Sequence, residues 1–395
     1  MWVVAFFMLA QPVSAHTYTP GDTVVSLVTF YPGGEVFELE GHTALRVQTP
    51  QADVAVNWGM FSFNEPGFVY RFVKGETDYW TAALWWPSFA EAYRAEGRRI
   101  VERRLNLTAD QKARLLALLD ENLRPENATY RYNYVRDNCA TRPLRIVERA
   151  LGDSIVLGPA PAALAGDDVT FRRVMEHYHA NYPWYQFGID LCLGPGMDTP
   201  VSNRERAFAP AMLDIQIATA TVGGKPLVAA TEVNNDVPED AAVLAPTPWY
   251  LTPLAAAWLL FAIAALLTVR DVRRLRVSRW FDSVLFATYG FLGLIITYLV
   301  FCSSHEATSP NYLVFWLNPL CFLPAVCVWI KRARGLVMCY YFANFAVLMA
   351  LCLLWPLTGQ KANAAFIPMV AAELVRTGSY LYINLKTRKS VDAKQ

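Results

Sequence analysis

The chain changes solvent near residue 245. Before that point apolar and polar residues interleave at strand and helix spacings; after it the apolar residues gather into runs. Four of these runs are strong: Trp249–Val269, Trp280–Phe301, Tyr312–Ile330 and Leu336–Leu357. A fifth, Ala364–Leu385, is weaker because it carries Glu373 and Arg376. Each is close to the ~20 residues that a bilayer core requires. In hydrocarbon, backbone amides must find partners within their own segment, so each run is expected as a helix. Residues 249–385 therefore predict a helical membrane bundle of about five spans.

The loops orient that bundle. Arg270, Arg273, Arg274, Arg276 and Arg279 follow the first run, Lys331, Arg332 and Arg334 the third, and Lys386, Arg388 and Lys389 the fifth. The intervening loops, Ser303–Pro310 and Thr358–Asn363, contain one basic residue, Lys361. Five crossings put every basic cluster on one side, which is cytoplasmic by the positive-inside rule. The tail, 386–395, is then cytoplasmic and the region before the bundle lies outside. If the fifth run instead lies in the interface, four crossings remain and the last basic cluster falls outside. Glu373 and Arg376, three apart, are expected to pair on one helix face.

The start of the chain agrees with export. Residues 1–15 are apolar and end in Val13-Ser14-Ala15, a small-residue cleavage pattern, although no basic start precedes them. A cleaved signal peptide is expected, with an uncleaved anchor as the competing reading. The net charge of +1 gives no reason to expect a nucleic-acid partner.

Residues 23–220 read as an α+β domain, an antiparallel sheet with helices packed against it. Strands are expected at 23–30, 36–39, 42–47, 53–58, 79–86 and 100–107. Ser88 with Glu91 and Thr108 with Gln111 read as capping boxes. Leu144, Val147 and Leu151, closed by Gly152, mark a helix over 141–151. Residues 221–248 are expected as a linker.

Chemistry points to Cys139, at the start of that helix in the run Asp137-Asn138-Cys139-Ala140-Thr141-Arg142. A helix start favours a thiolate. His42, at the head of a strand, is the candidate base. Asn57, on the strand expected to pair with it, is the candidate that fixes the imidazole, with Glu40 as runner-up. The N–H groups of Cys139 and Ala140, with Asn138, are candidate oxyanion donors. Asp137, Arg46 and Arg142 flank the site as salt-bridged supports or headgroup contacts. The pattern calls for no metal or cofactor: His177 and His179, two apart on a helix, point to different sides. Of seven cysteines only Cys139 and Cys192 fall in the exported part, so a disulfide between them is the bland alternative.

Gly41-His42-Thr43-Ala44-Leu45-Arg46, Asn57-Trp58-Gly59, Leu105-Asn106-Leu107-Thr108 and Tyr132-Asn133-Tyr134 with the Asp137–Arg142 run resemble the periplasmic domain of Lnb-type lipoprotein N-acyltransferases. The order, histidine strand before cysteine helix, is similar to the permuted papain-like fold of lecithin:retinol acyltransferase relatives. Ser309-Pro310-Asn311 and Trp316-Leu317-Asn318-Pro319 resemble the multi-span region that follows that domain. The resemblance implies a protein of the bacterial inner membrane with its catalytic domain in the periplasm. It also implies a reaction: Cys139 takes an acyl chain from a diacylglyceryl lipoprotein as a thioester and passes it to the lipoprotein's terminal amine. Diacylglyceryl lipoproteins and membrane lipid are then the partners. Two rivals stay open, a papain-like cell-wall peptidase or amidase, and a non-catalytic envelope-assembly protein with Cys139 bridged to Cys192.

Overall fold

The structure is a computed structural model describing residues 22–392, so the signal-like 1–15 segment lies outside the described residues. In chain order the first part runs β1 (Val24–Phe30), β2 (His42–Gln48), β3 (Asp53–Met60), α1 (Phe68–Lys74), β4 (Asp78–Trp85), α2 (Trp86–Ala95) and β5 (Ile100–Leu105). It continues with α3 (Ala109–Leu123), α4 (Pro125–Ala128), β6 (Thr129–Arg131), α5 (Thr141–Leu151) and α6 (Phe171–Tyr178). Next come α7 (Pro183–Cys192), α8 (Pro210–Ile217), β7 (Thr221–Val222), β8 (Lys225–Pro226) and β9 (Val228–Asn235). The last part holds α9 (Pro253–Arg274), α10 (Arg279–Phe301), α11 (Phe322–Cys327), α12 (Arg334–Leu354) and α13 (Phe366–Asp392). The described residues divide into two compact units, one of 22–72, 76–178 and 200–245, the other of 73–75, 179–199 and 246–392.

The first unit is built on a seven-stranded sheet ordered β6-β4-β3-β2-β1-β5-β9, with antiparallel neighbours throughout. Alternation along the strands sends Val25, Leu27, Leu45, Val47, Val56 and Trp58 to one face, beneath Leu115 and Leu119 of α3 and Leu144, Val147 and Leu151 of α5. Val28, Phe30, Ala44 and Ala55 pack on the other face against Trp86, Phe89 and Ala90 of α2. Burying one such large side chain contributes about 1.5–3 kcal/mol.

Several local expectations hold and several do not. The Thr108–Gln111 capping box forms both bonds, at 2.9 and 3.3 Å. Helix α5 stops at Gly152, whose φ of +71° closes its last turn. Ser88 does not cap α2, which begins earlier, at Trp86, with Pro87 in its first turn. The strand expected at 36–39 is a set of turns. The expected 221–248 linker is partly sheet: β7 and β8 form a hairpin across Gly223-Gly224, both at positive φ, and β9 pairs with β5 through Val101↔Val233 and Arg103↔Thr231. The edge of β5 decides this, and Val228, Thr231 and Val233 are residue types that fit a strand.

Among the described residues of the second unit three helical stretches are long and apolar enough to cross a bilayer: Pro253–Arg274, Arg279–Phe301 and Lys331–Thr358. The expected third span, Tyr312–Ile330, is instead broken into short turns at 312–315 and 319–321 followed by α11. Asn311 and Asn318 cause the breaks by accepting the N–H groups of Leu313 and Leu320, at 3.0 and 3.1 Å. Pro319 then starts a new turn. Gly293 of α10 admits this segment, since a Cβ there would stand 2.2 Å from the Asn318 nitrogen. Helix α13 packs along α9, and its Glu373 and Arg376 are buried. Glu373 and Arg376 do not pair with each other. Arg376 binds Asp282 of α10 at 2.6 Å and Asp271 of α9 at 2.9 Å, while Glu373 accepts from Asn344 of α12 at 2.9 Å. In a helix bundle the partner across the interface is geometrically better placed than the residue one turn away.

Candidate active site

His42 heads β2, and Ala44, two residues on, sits opposite Asn57 of β3. The two-residue period puts His42 and Asn57 on the same face of the sheet as diagonal neighbours. Their side chains meet at 3.1 Å, imidazole Nε2 to amide Oδ1. The amide's other end donates Nδ2–H to the Ala55 carbonyl at 3.1 Å, which fixes Oδ1 toward the ring. An amide oxygen only accepts, so Nε2 carries the proton and Nδ1 presents the lone pair. Tyr93 lies parallel to the ring at 6.3 Å and 7°, with Phe30 at 6.2 Å and Phe89 at 6.4 Å. Burial among these rings pushes the imidazole down to about 4, against the smaller upward pull of the Asn57 bond.

The loop before Cys139 is closed by its own amides. Asn133 and Asp137 exchange backbone hydrogen bonds at 3.1 and 2.9 Å, and Asn133 Oδ1 accepts from Val135 and Arg136. Asn138 then starts α5. Its Oδ1 accepts from the N–H groups of Ala140 and Thr141, both at 2.9 Å, and its Nδ2 donates to the carbonyls of Tyr134 and Phe208 at 2.7 and 2.8 Å. Asn138 is thus a cap, and both it and the Ala140 N–H are withdrawn from the oxyanion role expected of them. The Cys139 N–H bonds its own Sγ at rest.

Cys139 is 8% exposed and carries a free thiol, as does Cys192. Its Sγ takes the backbone N–H of Thr43, so thiol and imidazole flank one peptide unit of β2. The Tyr132 hydroxyl stands 3.9 Å from Sγ. Gly59 makes this closure possible: its φ is +85°, and a Cβ there would come within 2.9 Å of the Tyr132 ring and 3.8 Å of Cys139 Cβ. The thiolate expected from the helix start is not favoured. Burial pushes the thiol up to about 11, outweighing the Thr43 N–H and the Tyr132 hydroxyl. The resting pair is therefore neutral thiol and neutral imidazole.

The remaining sequence candidates support the scaffold. Arg46 lies four residues along β2 from His42, about 13 Å at strand rise. It grips Asp53 in a fork at 2.8 and 2.7 Å, binds Glu102 at 2.7 Å and stacks over Trp86. Asp137 takes a fork from Arg142 at 2.8 and 2.9 Å and a further bond from Arg145. The Arg142 guanidinium lies 3.4 Å over the Tyr130 ring. Glu40 accepts from the Tyr134 hydroxyl, and it is Asn57 that holds the imidazole. Sequence reasoning gave no role to Tyr132, Tyr93, Gly59 or the Thr43 amide. Tyr132 and Gly59 stand in the motifs Tyr132-Asn133-Tyr134 and Asn57-Trp58-Gly59, where nothing in the sequence separates them from their neighbours.

Residues 10–170 match the Lnb N-terminal periplasmic domain, and residues 245–388 match the Lnb transmembrane domain. No curated protein and no solved structure matches the chain. The two matches follow one another in the order of the two units, the antiparallel-sheet domain first and the apolar helices second. The chain belongs to the Lnb family, a membrane protein whose N-terminal domain is periplasmic.

Proposed function

We propose that this protein is a thiol-dependent acyltransferase that acylates the terminal amine of lipoproteins through a Cys139 thioester. The observation that carries the reading is the His42–Asn57 hydrogen bond at 3.1 Å, which leaves Nδ1 bare beside a strand whose next amide binds the Cys139 thiol. In the first half-reaction Nδ1 takes the thiol proton as Sγ attacks the ester carbonyl of a diacylglyceryl group. The carbonyl π pair moves to oxygen, then returns as the C–O bond breaks, and the leaving alkoxide takes the proton from His42. In the second half-reaction the lipoprotein's neutral amine attacks the thioester carbonyl. The C–S bond breaks, the amine's proton passes through His42 to sulfur, and an amide and the free thiol result. A neutral dyad suits this sequence, because sulfur must be both nucleophile and leaving group. Tethering to the bilayer concentrates enzyme and lipid substrate in one plane.

The same proposal places the protein in the bacterial inner membrane with five crossings, α13 and the broken 312–327 segment providing two of them. Five crossings leave Arg270–Arg279, Lys331–Arg334 and Lys386–Lys389 on one side. The decisive test is mass spectrometry of lipoprotein N-termini from cells whose acylation depends on this protein. Cys139→Ala is expected to leave the terminal amines free. Termini acylated as in wild type refute the reading.

A further inference from the structure

Forming and breaking a thioester passes twice through a tetrahedral oxyanion, and that charge needs donors. The donors that a helix start ordinarily supplies are in short supply here. The Ala140 N–H is 2.9 Å from Asn138 Oδ1, and both ends of the Asn138 amide are engaged by backbone. The Thr43 N–H is spent on the sulfur itself. The Cys139 N–H bonds the same sulfur at rest, so the oxyanion would find at most one backbone donor in a buried site.

We infer that the Tyr132 hydroxyl is a catalytic residue, the second donor of the oxyanion hole, resting on the reading of Cys139 as an acyl-accepting nucleophile. Three features hold it there. The Tyr132 ring stacks on Tyr79 at 4.5 Å and 26°, and its Cε2 abuts Gly59, where no Cβ fits. Backbone pairing of Tyr130 with Tyr79 fixes the strand that leads into it. Its hydroxyl then stands 3.9 Å from Sγ, too far to be a strong partner of the thiol. An acyl oxygen on a carbon bonded to Sγ projects further out than the sulfur. A donor at that distance from Sγ can therefore come within the roughly 2.7–3.1 Å of the oxyanion that stabilisation requires. The geometry is better matched to the adduct than to the resting thiol, which is the condition for lowering a barrier. Burial also raises the phenol well above its ordinary value, so the hydroxyl keeps its proton and remains a donor across the working pH range.

The bonds made and broken are those of the acyl transfer already written; Tyr132 exchanges no proton with substrate and only donates a hydrogen bond. Two reactions of the same thiol separate this role from a structural one. S-acylation passes through an oxyanion, whereas alkylation by iodoacetamide displaces iodide and forms none. Both are measured on the full-length protein in detergent by peptide mass spectrometry at Cys139, with p-nitrophenyl octanoate as acyl donor.

For Tyr132→Phe, which keeps the ring and its stacking, the S-acylation rate is expected to fall by about 10²-fold, the cost of one oxyanion donor. The alkylation rate should change by less than about threefold, since the lost hydrogen bond to sulfur is long and weak. Acylation at the wild-type rate, or equal losses in both reactions, overturns the inference. A wild-type protein that forms no Cys139 adduct removes the nucleophile and the inference together. The readout does not depend on the acceptor. A Tyr132 effect on S-acylation with unaltered lipoprotein termini in Cys139→Ala cells would therefore sink the lipoprotein assignment and leave the oxyanion role standing.

Discussion

The neutral resting dyad makes a quantitative prediction about the reactivity of Cys139. Burial sets its thiol at about 11, against an ordinary cysteine near 8.5. At a pH of about 7.5 roughly 3 in 10⁴ of the Cys139 thiols are ionised, compared with about 1 in 10 for an ordinary cysteine, a ratio near 300. A more basic thiolate is a better nucleophile, and with a Brønsted slope of about 0.4–0.5 the 2.5-unit rise restores roughly 10–20-fold. Iodoacetamide should therefore alkylate Cys139 some 15–30 times more slowly than a model thiol, before any further slowing from burial. The logarithm of the rate should climb with unit slope from about pH 7 to 10, with no plateau. The assay is peptide-resolved mass spectrometry over a time course at each pH. His42→Gln should leave that curve within about threefold while abolishing S-acylation, because alkylation uses the standing thiolate and acylation uses the base. A rate that is flat above about pH 5 would mean a preformed thiolate–imidazolium pair. That outcome refutes the claim that burial outweighs the helix start.

Two further substitutions probe the site's electrostatics and the bundle. Asn57→Asp puts a carboxylate against Nε2–H, which stabilises the imidazolium and raises His42 from about 4 toward its ordinary value. The base is active only when neutral, so the acid limb of the pH–rate profile should move upward by about 1–2 pH units; an unmoved limb would show that His42 is not the base. In the second unit, Arg376→Ala leaves Asp271 and Asp282 buried without their shared cation. Breaking a buried pair this way costs about 3–5 kcal/mol, seen as a lowered midpoint in detergent unfolding, whereas a loss below about 1 kcal/mol would refute the network's structural weight.

The parts of the fold legible in the sequence were those set by local periodicity. The stripe Leu144, Val147 and Leu151 with a closing glycine produced α5 over 141–151, and Thr108 with Gln111 produced both bonds of its cap. Where a partner remote in sequence decides the outcome, the same reasoning failed. β9 is a strand because β5 offers it an edge nearly 130 residues away. Glu373 and Arg376 sit at ideal spacing for a helical pair, yet each is satisfied from another helix. The Tyr312–Ile330 run is apolar enough to span, but hydropathy does not register that Asn311 and Asn318 take backbone bonds away from a helix. Of the candidate site, the pairing of His42 with Asn57 followed from strand order alone, since adjacent antiparallel strands bring diagonal residues together. What strand order could not reveal is which donors remain once Asn138 has capped the helix.

The thiol's protonation state shows why the helix start misled. A dipole at a helix start contributes about 0.3–1 kcal/mol at exposed sites, and the Asn138 cap blunts it by occupying two of the freed N–H groups. A rise of the thiol from an ordinary 9.0 to about 11 corresponds to roughly 3 kcal/mol. Desolvation therefore prevails over the helix start. The consequence is chemical rather than structural. A buried, protonated cysteine is protected from adventitious oxidation in an oxidising compartment, since thiolate character governs that ladder. Under the proposed acyl transfer it becomes nucleophilic only when a carbonyl is positioned to accept the sulfur electron pair that is freed as His42 takes the proton. On this account substrate lipid does more than occupy the site: its arrival supplies the electrophile without which the proton has no reason to leave sulfur.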